Sequence, residues 1–141
     1  KHFFLFIALT ISSISFAQID DRITTIEFVE VLDNNKEEAL FYFQNNWKVL
    51  RDKAVKRNYI HSYQLLETPT SDEAPFQIML ITTYQNKAQH ELREDNFQEL
   101  VKESGELKLL NNKKPGEFRR SLFSKRNFLE IIIFRNWRRN I

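Results

Sequence analysis

The chain of 141 residues carries 21 basic and 19 acidic side chains for a formal charge of +2, with 42% hydrophobic and 13% aromatic residues, the composition of a globular protein. It has no cysteine and only two glycines, which excludes a disulfide scaffold, a thiolate metal site, a P-loop and a glycine-rich dinucleotide fingerprint. Of the three histidines, His2 lies at the very start; His61 and His90 alone cannot build a three-histidine zinc site or an H-E-x-x-H helix.

The opening "KHFFLFIALTISSISFAQ" sets one positive residue before an apolar run over residues 3–14. As a helix that run spans ~18 Å, short of the ~30 Å of bilayer hydrocarbon. Its flanks fit a secretory signal peptide, with "SFA" a small-x-small cleavage site after Ala17. Residues 1–17 are therefore expected to be removed, and the protein to be exported to the periplasm or secreted without a stable membrane anchor. The alternative is a buried N-terminal strand. Residues 18–134 are expected to form one domain, followed by a basic tail at 135–141.

"TTIEFVEVL", residues 24–32, is β-branched and aromatic and predicts a strand with apolar groups on both faces. A helix is expected over residues 35–58, with Asn34 as N-cap and Glu37 completing a capping box. Leu40, Phe43, Trp47, Leu50 and Ala54 form its apolar stripe, with Lys48, Arg51, Asp52, Lys56 and Arg57 on the solvated remainder. Residues 59–68 and 76–84 predict two strands, joined as a hairpin by "PTSDEAP". A second helix starts at Asn86, carries Ala88, Leu92, Phe97, Leu100 and Val101 inward, and stops at Gly105. Pro115 opens a short helix through residue 122, and "NFLEIIIF", residues 127–134, closes the order as the last strand.

The order β-α-β-β-α-β predicts a ferredoxin-like α+β fold: an antiparallel sheet with both helices on one face. Strands one, three and four carry apolar residues on both faces, so the uncovered face calls for a partner, most simply a second copy in a homodimer. With Lys1 and the tail residues Arg135, Arg138 and Arg139 set aside, 17 of the 21 basic side chains face 19 acidic ones. That balance does not indicate nucleic-acid binding.

In this element order, and in the aromatic first helix "ALFYFQNNWKVL", the chain resembles the dimeric α/β-barrel superfamily across residues 23–134. That superfamily includes antibiotic-biosynthesis monooxygenases, stress-responsive barrel proteins and NIPSNAP-like domains. The resemblance implies two sheets meeting face to face and a pocket in each subunit between sheet and helices. Some relatives use that pocket for cofactor-independent oxygenation or haem degradation. Haem-degrading members have an Asn on the first strand, a Trp on a later strand and a His on the second helix. Here His90 is in that helix, while Glu27 and Glu30 stand on the first strand and Tyr84, not Trp, on the third.

Candidate site residues follow from alternation and spacing. Tyr59, His61, Tyr63 and Glu67 share one face of the second strand, where a histidine and two phenols can orient a planar ligand and move a proton. Trp47 and Tyr84 complete the expected ligand pocket. His90 with Glu94 has metal-ligand spacing, but no third ligand is near and no metal or cofactor is expected. The leading expectation is a dimeric binding or structural module with a pocket for a small apolar ligand. The alternatives are a monooxygenase-like enzyme using His61 or His90, or an adhesion module using the tail and an open sheet edge.

Overall fold

The computed structural model describes residues 21–129, with side chains described through residue 124. The expected signal peptide, the end of the last strand at 130–134 and the tail at 135–141 lie outside the described residues.

Strand β1 (Ile23–Val31) is followed by a continuous helical rod of three parts: α1 (Lys36–Tyr42), a π-helical stretch (Phe43–Trp47) and α2 (Lys48–Lys56). Then come β2 (Ser62–Glu67), β3 (Ile78–Tyr84), α3 (Lys87–Glu91), α4 (Arg93–Ser104), α5 (Pro115–Phe118) and β4 (Arg119–Leu129). The four strands form one antiparallel sheet in the order β2-β3-β1-β4. This is the ferredoxin-like α+β arrangement expected from the element order. Among the described residues no helix is long and apolar enough to cross a membrane.

Strict alternation in β3 decides where the core lies. Ile78, Leu80, Thr82 and Tyr84 are buried on one face, while Met79, Ile81 and Thr83 point to the other. The buried set packs with Val29, Ala39, Phe43 and Phe118 near one end and with Ala54, Ile60 and Leu100 near the other. Each fully buried side chain of this kind contributes roughly 1.5–3 kcal/mol. All helices therefore cover the same face of the sheet. The opposite face carries Phe28, whose ring stacks on Phe123 at 4.4 Å and meets Phe76 edge-on at 4.7 Å. Leu66 and Phe123, on the two edge strands, are 41% and 55% exposed.

Several local expectations are corrected. The first helix is interrupted by one π-helical turn, where Lys48 N donates to the carbonyl of Phe43, five residues back. Within it, the amide side chains of Asn45 and Asn46 donate to the carbonyls of Phe41 and Tyr42, supplying donors where the ladder changes step. Asn34 is not the cap. Asp33 and Asn34 turn the chain with positive φ, and Asn35 occupies the N-cap without a side-chain cap bond. Its amide instead donates to Glu117 O and its carbonyl oxygen accepts from Lys113.

Asn86 does cap its helix, accepting from Gln89 N at 2.9 Å. The helix then breaks at Leu92, and Arg93 Nη1 donates to the carbonyl of His90 across the break. Leu92 and Val101 are left half-exposed, Val101 beside Phe97 at the edge of a cavity, and Leu100 is the fully buried residue. Strand β2 starts at Ser62, not at Tyr59. Pro115 opens a single turn ending at Phe118, and β4 begins at Arg119, eight residues ahead of the expected start at 127. As an edge strand, β4 tolerates Arg119, Arg120 and Ser121 because among the described residues one flank pairs with no other strand; Arg120 bonds Glu30 across the ladder.

Candidate functional site

Because the helical rod and α4 stand side by side on one face, a cavity of about 330 Å³ opens between them and the sheet. Its floor is Thr25 and Glu27 of β1, Leu80, Thr82 and Tyr84 of β3, and Ser124 of β4. One wall is Trp47, Leu50 and Arg51; the other is Arg93, Glu94, Phe97 and Val101.

Arg51 is the central charged group. It follows Trp47 by four residues, so both side chains emerge on one side of the rod. Its guanidinium carbon lies 4.7 Å from the centre of the Trp47 ring and 4.0 Å from that of Phe97. The cation is thus held between rings supplied by two different helices. Its Nε donates to Thr82 Oγ1 at 3.4 Å. Burial pushes its pKa down to about 10, opposed by the charges of Tyr84 and Glu27. The group stays protonated at neutral pH, and among the described residues no carboxylate bonds it.

The other charges around the cavity are engaged. Arg93 Nε lies 3.3 Å from Glu94, and Glu27 accepts from the hydroxyl of Ser121. Among the described residues no three His, Asp or Glu side chains come together as a metal-holding group.

The expected pocket residues separate into groups. Trp47 and Tyr84 line the cavity. Tyr63 stands behind Trp47, their rings edge-to-face at 5.6 Å. Its hydroxyl donates to Asp52, which also pairs with Lys48 at 2.8 Å. Burial first, then this bond, raises the Tyr63 pKa and keeps the phenol protonated. Tyr59 ties the end of α2 to α4 by donating to Glu99, beside an Arg57 that bridges Glu99 and Glu103. His61 is exposed just ahead of β2, with its backbone N–H on Thr83 O. His90 packs edge-on against Tyr84, with 5.0 Å between ring centres. The structure therefore places Trp47 and Tyr84 in the cavity, each with one further ring against it, Tyr63 and His90 respectively, while His61 lines no part of it.

Arg51, expected on the solvated side of the helix, is instead half-buried at the cavity wall. Thr82 and Arg93 also went unmarked by sequence reasoning. The signal for Arg51 was present in its i, i+4 relation to Trp47; the partner ring, Phe97, is 46 residues further along and came only with the fold.

No family model and no curated protein matches the chain. Among solved structures, it is similar to a NIPSNAP-like domain protein from Burkholderia xenovorans, with a TM-score of 0.51 and 11% identity over 82% of this chain and 90% of that one. It is also similar to HapK from Hahella chejuensis, with a TM-score of 0.47 and 12% identity over 75% of this chain and 90% of that one. A third is a conserved protein of unknown function from Bacteroides thetaiotaomicron, described as a possible oxidoreductase; its TM-score is 0.43, with 22% identity over 72% of this chain and 98% of that one. At such identities the likeness to the NIPSNAP-like domain is one of fold.

Proposed function

We propose that this chain is an exported, homodimeric binding module of the dimeric α/β-barrel type, holding a small, largely apolar ligand in the cavity between sheet and helices. The observation that carries the reading is the cavity itself: about 330 Å³, walled by Trp47, Leu50, Leu80 and Phe97. Apolar walls with a few convergent polar groups are the usual make-up of a small-molecule site.

The dimer is supported by the sheet's uncovered face, where Ile26, Phe28, Leu66, Phe76, Met79, Ile81 and Phe123 gather. A second copy, packed by a two-fold axis, is always available to cover such a face. Export rests on the sequence of residues 1–17, and N-terminal sequencing of protein from its native host should begin at Gln18.

A second reading is a monooxygenase-like enzyme, cofactor-independent or haem-degrading. It draws on Tyr84 at the cavity floor with the His90 imidazole against its ring. Titrating the purified protein with a quinol and with haem, while recording absorbance and oxygen uptake, tests both. Spectral change without oxygen uptake supports a binding module; oxygen uptake that is lost in His90→Ala supports the enzyme.

A further inference from the structure

A guanidinium withdrawn from water ordinarily has a carboxylate or several carbonyls to receive its five N–H groups. Arg51 is arranged differently. Its guanidinium carbon lies over the rings of Trp47 and Phe97, and its Nε donates to Thr82. Nη1 and Nη2 form no bond with any described residue, and the side chain borders the cavity. The cation is thus held beside two rings, in a side chain that lines the cavity and whose terminal nitrogens no described residue engages. A planar guanidinium fork matches a carboxylate or an enolate oxygen pair, and Arg is the side chain suited to that match.

The charges surrounding it lead to the same ligand class. Arg93 is already neutralised by Glu94 and held by the His90 carbonyl. Tyr84 and then Glu27, both lining the floor, are the groups whose charges act on Arg51; of the two Glu27 is the carboxylate, and it accepts from the hydroxyl of Ser121. An incoming anion would therefore find one unengaged donor edge and one competing carboxylate.

We propose that the cavity takes a small planar, aromatic acid, its anionic oxygens received by the Nη1–Nη2 edge of Arg51 and its apolar body against Leu50, Leu80 and Val101. This deepens the reading of the cavity as a ligand site and rests on it. Glu27 then tunes affinity by opposing the ligand's charge.

The experiment is titration calorimetry of the whole chain with 2-naphthoate and with its neutral counterpart 2-naphthamide. The acid should bind about tenfold or more tightly than the amide, the scale of one charge-assisted bidentate contact. Arg51→Met should erase that preference, so that acid and amide bind alike. Glu27→Gln should raise the acid-over-amide preference several-fold; this second variant tests the charge relation even if Arg51→Met does not fold. Equal binding of acid and amide by the wild type overturns this inference and leaves the cavity as a ligand site. An acid preference that survives in Arg51→Met, or that is unmoved in Glu27→Gln, also overturns it. Binding of neither probe overturns both readings together.

Discussion

The carboxylate of Glu38, in the first turn of α1, accepts from the ammonium of Lys113 at 2.7 Å, across 75 residues of chain. Asn111 donates to the same oxygen at 3.0 Å, and Lys113 also reaches Asn35. This buried carboxylate therefore fastens the start of the helical rod to the loop ahead of α5. The Lys113 bond, then the Asn111 bond, hold its pKa down at about 2, from an ordinary 4.5. A group whose folded pKa is depressed contributes stability that is fully present above its unfolded value and is lost as pH falls through the folded one. Comparing thermal midpoints of the wild type and Glu38→Gln should show a gap that is constant above pH 4.5 and closes as pH falls toward 2. A gap that does not depend on pH would show that the ionised carboxylate has no part in the tie.

Asn46 makes the second long-range fastening. Its amide donates to Lys108 O and its carbonyl oxygen accepts from Lys108 N, both at 2.8 Å. From the π-helical stretch it also donates back to Tyr42 O at the end of α1. Asn46→Ala should cost about 1–2 kcal/mol of stability, the scale of bonds lost with a backbone group left short of a partner. Amide hydrogen exchange should be faster at Lys108 and little changed in β3.

Phe118 is fully buried where α5 meets β4, against Tyr42 at 5.6 Å between ring centres. Phe118→Ala should lower the free energy of unfolding by roughly 3–5 kcal/mol, the cost of an aromatic core truncation with its residual cavity. Urea unfolding measures it. Because Leu32 N donates to Phe118 O, loss of this side chain should also loosen the turn between β1 and α1.

Phe123 bears on the proposed dimer. It is 55% exposed on the helix-free face, stacked on Phe28. The wild type should scatter light as two chains at micromolar concentration. Phe123→Asp should scatter as one chain with its circular dichroism retained, because the monomer already leaves this ring wet. A wild type that scatters as one chain removes the dimer.

Much of this architecture is legible in the chain. Alternation in "FQIMLITTY" marks Ile78, Leu80, Thr82 and Tyr84 as one face of β3, since a strand's side chains must alternate whatever they meet. Asn86 and Gly105 bracket the second helical region because capping and a positive φ are local chemistry. By contrast, β4 reads poorly: Arg119, Arg120 and Ser121 read as the continuation of the short helix opened by Pro115, and they are strand because they pair with β1. The π-helical turn is similarly hidden, its only trace being the paired amides of Asn45 and Asn46.

The sequence by itself determined the α+β class, the order of elements and the apolar character of both sheet faces, since these depend on residue periodicity and on turn chemistry within a few positions. Tertiary structure alone decided that Arg51 is a cavity residue and not a solvated helix charge. Its environment is made by Trp47 on its own rod, Thr82 on β3 and Phe97 on α4, which are brought together by the packing of three separate elements. A charge is exposed or enclosed according to what stands opposite it, and that is a property of the folded chain.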